Sequence, residues 1–177
     1  MLIQELKFAA SKAVTGLLIV NLLVLPLTVA ASSESPSSDG DNKPKLIDLW
    51  QPGDSGQRMR IRGRVTSIDG SPIPNVVIGF RHADSEGVDW SYHQGAVIAN
   101  EKGVYQFGSV IPGNSHRLSH VHVTVDHDGY QYLDTEFHFK HDPKADEDDP
   151  DSIFLEAGTV GGETMMFGRY DITLIPR

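Results

Sequence analysis

The sequence predicts an all-β fold, an antiparallel β-sandwich, and three observations carry that reading. Beyond residue 31 no segment keeps a sustained 3.6-residue apolar period. Short runs of β-branched and aromatic residues alternate with polar ones instead. Gly, Pro and Asp interrupt these runs at roughly eight- to twelve-residue intervals, the rhythm of a sandwich and not of βαβ units.

The N-terminal 31 residues stand apart. "MLIQELKFAASK" carries two lysines and one glutamate, and an uncharged run follows from Ala13 to Ala31. Small residues at Val29, Ala30 and Ala31 suit cleavage, so residues 1–31 resemble a secretory signal. A retained membrane anchor, a tether through residues 13–31, is the alternative. Either way the domain is expected to be exported, periplasmic or secreted. Residues 32–45, "SSESPSSDGDNKPK", hold no large apolar side chain and read as a flexible tether. Residues 46–177 are left as one domain.

Within the domain, "MRIRGRV" places Met59, Ile61 and Val65 on one side of a half-buried strand. "DGSPIP" is a turn, because Gly70 tolerates positive φ while Pro72 and Pro74 forbid helix. "NVVIGF" reads as a buried strand, and Val104 to Phe107 as another strand between glycines. "HVHVTVDHDGYQYLDTEFHF" is a hairpin turning at Asp128-Gly129. "GRYDITLI" supplies the last strand. The acidic "HDPKADEDDPDS" reads as a solvated loop, since the ligand spacing and central glycine of an EF-hand are missing.

Composition narrows the chemistry. Acidic residues outnumber basic ones 24 to 15, a formal charge of -9. No basic stripe is expected, which argues against nucleic acid as a partner and fits a small or neutral ligand. Cysteine is absent, so disulfides, thiolate metal sites and cysteine nucleophiles are excluded. Any metal must be held by His, carboxylate or Tyr.

Eight histidines occur. In a strand, His120 and His122 share one face, about 6.6 Å apart along the backbone, while Val121, Val123 and Val125 share the other. At that separation two imidazoles can lean onto one cation through bonds of roughly 2 Å. Polar decoration of a solvent-facing strand is the competing reading. His138 reads as solvent-facing and His82 as a satisfied, half-buried histidine.

From about Met59 to Leu174 the residues resemble the intradiol ring-cleavage dioxygenases, the catechol and protocatechuate dioxygenase type. "IRGRVTSIDGSPIPNVVIGF", "NEKGVYQFGSVIPG", "RLSHVHV", "LDTEFHF" and "RYDITL" are similar to five blocks of that family in order and spacing. The resemblance implies a β-sandwich with one non-haem Fe(III) held by two His and two Tyr, cleaving a catechol-type aromatic diol with O2, as in aromatic compound catabolism. Carried over, His120 and His122 match the paired ligands, Arg117 the active-site arginine, and Tyr92 the first tyrosine ligand, displaced by a few residues. Three positions depart from the pattern. Ser115 stands where the second tyrosine belongs, Leu118 replaces proline, and Glu136 replaces glutamine. His116 is the candidate substitute ligand or base. A carboxylate at Glu136 requires a partner such as Arg117 or takes up a proton. Two alternatives stay open: a catalytically inactive secreted β-sandwich binding module, and a zinc or copper site built from His93, His116, His120 and His122.

Overall fold

Alternation of apolar and polar side chains builds two sheets that close on one core. The computed structural model describes residues 43–113, 117–146 and 148–177, the side chains of residues 90 and 91 excepted. The leader, nearly all of the tether and His116 lie outside the described residues.

The first sheet has the order β1 (Leu46–Asp48), β5 (Val104–Val110), β2 (Arg58–Ser67), β10 (Glu163–Arg169), β9 (Leu155–Val160), with β11 (Ile172–Leu174) also on β2. The second has the order β4 (Asp89–Ile98), β3 (Val77–Ala83), β6 (His120–Asp126), β7 (Leu133–Phe139), β8 (Ser152–Ile153). Three pairs of strands consecutive in sequence, β3–β4, β6–β7 and β9–β10, are antiparallel hairpins. Parallel pairs are added by β1 on β5, by β8 on β7, and by β10 and β11 on β2. The sandwich is as the sequence predicts, with mixed sheets.

Both sheets feed the core. Met59, Ile61, Val65 and Phe107 come from the first, and Ile78, Phe80, Val121, Val123, Val125 and Phe137 from the second. Phe80 stacks on Phe107 across the interlayer at 4.5 Å and 10°. Each such aromatic contributes about 1.5–3 kcal/mol by leaving water. The valines of "HVHVTV" therefore fix which face of β6 points out, and the histidines take the other one.

Four details differ from the sequence reading. Strand β3 is not buried on both sides: Ile78, Phe80 and His82 point inward while Val77 and Arg81 are exposed. Strand β4 carries no clear alternation in the sequence, yet it forms the edge beside β3. The closing strand is broken at Tyr170-Asp171, so β10 and β11 run along β2 in succession. The break is anchored by the Tyr105 hydroxyl donating to the Tyr170 carbonyl at 2.6 Å, and by the Arg64 amide donating to Asp171 at 2.9 Å. Gly63 makes this approach possible, because a Cβ there would lie 1.8 Å from the Tyr170 oxygen. Finally, a basic row does exist. Arg58, Arg60, Arg62 and Arg64 occupy the alternate, outward positions of β2, and overall acidity concealed them.

Candidate metal centre

The β6–β7 hairpin assembles the site. Its connection turns through Gly129 at φ 83°, with the Tyr130 amide donating to the His127 carbonyl at 3.1 Å. The resulting register sets His122 opposite Glu136 and His120 opposite His138. On the other side of β6, Arg81 of β3 lies opposite His122. One outward face thus carries Arg81, His122 and Glu136 in a row across three strands.

Entry into β6 is fixed before the first histidine. The Ser119 amide donates to Asp142 at 2.8 Å, and its hydroxyl donates to the Pro112 carbonyl. The Asp142 side chain is buried, so the acidic loop is partly a brace and not wholly solvated. His120 Nδ1 lies 2.6 Å from the Leu118 carbonyl, so it carries the proton and leaves the Nε2 lone pair free for a ligand. The imidazoles of His120 and His122 sit edge to face, 4.8 Å apart.

Among the described residues, His120, His122 and Glu136 form the group whose donor atoms all lie within 4.8 Å of one another. Glu136 is held from both ends. Its Oε1 faces His138 Nε2 at 3.2 Å and the Arg117 guanidinium at 3.4 Å, while its Oε2 faces His122 Nδ1 at 3.7 Å. His138 is anchored in turn by Asp149, with Nδ1 2.7 Å from Oδ2. His138 is therefore no bystander in solvent; it links two carboxylates.

The electrostatics follow from these contacts. Burial raises the Glu136 carboxyl, but the hydrogen bond from His138 and the neighbouring charges of His120 and Arg117 outweigh it and hold the group below its ordinary value. The carboxylate stays ionised, with the partner that its position requires. Partial burial, His120 and Arg81 push His122 down, against the opposing pull of Glu136. Hydrogen bonds from Ser152 and the Asp151 amide, with His138 beside them, hold Asp149 at about 2.

The remaining candidates lie elsewhere or are only partly described. Tyr92 packs its ring on His93 at 4.4 Å and lines a small hollow with Asp54, Ser55, Asp84 and Glu86. Partial desolvation and the charges of Asp54 and Asp84 push its phenol up. His93 is buried, with Nε2 3.1 Å from Asp54 and Nδ1 without a partner, and it stacks on His82 at 4.9 Å. The four-histidine set is thus not assembled by the described residues, since His93 turns into the sandwich and His116 lies outside them. His82 is fully buried, with Ser109 at 2.8 Å and the Ala83 carbonyl at 2.6 Å; burial brings it down to about 4.

Sequence reasoning missed His138 and Asp149 as supports. The first was legible, because hairpin register places it opposite His120. Asp149 arrives from the acidic loop and carries no local signal.

As a donor set, the site offers two imidazole nitrogens and one carboxylate oxygen. The imidazoles suit iron, zinc or copper. The described residues meet the histidine half of a two-His, two-Tyr ferric centre and add a carboxylate beside it, at the position where the family resemblance expects glutamine.

No family model matches the chain. It is 28% identical over 131 residues to a chlorocatechol 1,2-dioxygenase from Rhodococcus opacus, covering 57% of this chain and 51% of that one. It is 29% identical over 146 residues to catechol 1,2-dioxygenase 2 from Acinetobacter lwoffii, covering 67% and 50%. The chain spans about half the length of these curated relatives. Among solved structures, 3-chlorocatechol 1,2-dioxygenase from Rhodococcus opacus superposes with a TM-score of 0.65 at 19% identity over 76% of this chain and 68% of that one. The dioxygenase domain of a dioxygenase carbohydrate-binding fusion from Streptomyces sp. SirexAA-E superposes at 0.62 and 21% identity, over 81% and 96%. These structural likenesses establish the sandwich.

Proposed function

Taking as premise that the chain is a divergent relative of the intradiol ring-cleavage dioxygenases, we propose that it is an exported, metal-dependent enzyme cleaving a catechol-type ring with O2 at the β6–β7 face. The observation that carries this reading is the convergence of His120 and His122 with Glu136 on one outward face of that fold. A first-row metal held there supplies Lewis-acid polarisation of the diol oxygens.

The chain's own residues support binding at this place. A groove of about 470 Å³ runs along the sheet from His122, lined by Arg81, Gln94, Thr124 and Asp134 with Gly79 and Ala96 between them. The Arg117 guanidinium, exposed at the edge of the site, is free to turn towards developing negative charge. The leader resembling a secretory signal supports export, and residues 46–177 are then the working domain.

The test is direct. Iron-loaded protein mixed with catechol is expected to take up O2 and yield a ring-opened dicarboxylate, and His120→Ala with His122→Ala to abolish both. Equal O2 uptake by loaded and metal-free protein overturns the reading. Saturable catechol binding without O2 uptake favours the binding-module alternative.

A further inference from the structure

We infer that Glu136 is the third protein ligand of this centre, and that the site selects a divalent first-row cation over a phenolate-bound ferric ion. The inference rests on the proposal that His120 and His122 hold a metal and redefines the rest of the donor set.

Register supplies the first reason. Glu136 is the direct cross-strand partner of His122, so its carboxylate stands beside that imidazole through backbone hydrogen bonding and not by a chance rotamer. Distance supplies the second. Two donors about 2.1 Å from one cation stand at most about 4.2 Å apart. His122 Nδ1 and Glu136 Oε2 already satisfy this at 3.7 Å, and the full group spans 4.8 Å. Small side-chain rotations close the remainder.

The carboxylate is also divided between two tasks. Oε1 is held by His138, which Asp149 anchors, while Oε2 faces His122 and takes only a long 3.5 Å contact from the exposed Arg117 guanidinium. An anchored outer oxygen and a presented inner one form the hydrogen-bonded support that orients metal-ligating carboxylates. A neutral amide at this position, as the family resemblance expects, would offer a weaker oxygen donor and no charge.

Charge completes the case. A ferric ion with two phenolates carries a net single positive charge, and so does a divalent cation with one carboxylate. A ferric ion on this donor set would carry two, in a place that is only partly solvated. Two imidazoles and a carboxylate with open positions suit Fe(II) or Zn(II).

Calorimetric titration of the purified, metal-stripped protein with Zn2+, and anaerobically with Fe2+, tests this. The wild type is expected to bind one ion per chain. Glu136→Gln, which keeps the size and the His138 contact, is expected to bind at least about tenfold more weakly, and His122→Ala more weakly still. Circular dichroism establishes that the variants fold. Wild-type affinity in Glu136→Gln alongside loss in His122→Ala overturns the inference and leaves the metal centre standing. A wild type that takes up neither ion overturns both. An independent readout is the visible spectrum with Fe3+: no tyrosinate band is expected, and a band abolished by Tyr92→Phe overturns the inference without reliance on Glu136 variants.

Discussion

Histidines occur on both faces of the β4–β3–β6–β7–β8 sheet, and the two groups meet opposite environments. On the inner side His82 and His93 stack on each other within the sandwich. His82 has neutral oxygens at both nitrogens and is driven down to about 4 by burial. On the outer side His120, His122 and His138 surround Glu136, with Asp149 beyond. His82 packs with neutral oxygens at both ring nitrogens and His93 with the Asp54 carboxylate at one, whereas the three outer imidazoles converge on a single carboxylate, Glu136. Strand parity decides the face; the neighbouring strand decides the chemistry.

Variants and pH separate the two groups. The largest effect is expected from His120→Ala with His122→Ala, which removes two of three donors. Zn2+ affinity should fall by about three orders of magnitude or more, with the urea midpoint of the metal-free protein unchanged. Acidification acts chiefly through His82, the histidine pushed furthest down. The His82 ring has its pKa lowered from 6.5 to about 4, so between those values the unfolded chain binds a proton that the native state refuses. Stability is therefore full above pH 6.5 and declines as pH falls to 4, by on the order of 3 kcal/mol at about 1.4 kcal/mol per unit. The outer Asp149 adds a separate loss only as pH falls below 3.8 towards 2. Denaturation at stepped pH reads both.

A smaller effect is expected from His82→Ala, which strands Ser109 and the Ala83 carbonyl. It should cost about 1–3 kcal/mol and flatten the slope between pH 6.5 and 4, while Zn2+ affinity stays unchanged. Asp149→Asn should loosen His138 and through it Glu136, weakening Zn2+ by about tenfold and removing the acid-dependent loss between pH 3.8 and 2. The smallest is Arg117→Ala, whose exposed ion pair with Glu136 contributes about 0–1 kcal/mol to folding, read by the thermal midpoint.

The architecture was legible because it rests on period-two alternation and turn residues, as in "MRIRGRV" and around Asp128-Gly129. Residues resembling the dioxygenase blocks proved a sound guide to the sandwich that solved dioxygenase structures share. Strand β4 escaped notice because its outward positions are tyrosine, glutamine and alanine and give no alternation. The β9–β10 hairpin carried a readable signal at Gly161-Gly162, both at positive φ, that was passed over. Of the site, the paired histidines follow from spacing alone. Glu136 as their neighbour follows only from hairpin register, and the service of Asp142 and Asp149 depends on a loop folding back to Ser119 and to His138 across 23 and 11 residues of chain, which no local pattern encodes.

X-ray absorption of the zinc-loaded protein at the metal edge tests the central claim most directly. The account predicts one zinc per chain with two imidazoles and a carboxylate oxygen at about 2.0–2.2 Å. A metal shell without imidazole scattering, or a protein that retains no stoichiometric zinc, would contradict it.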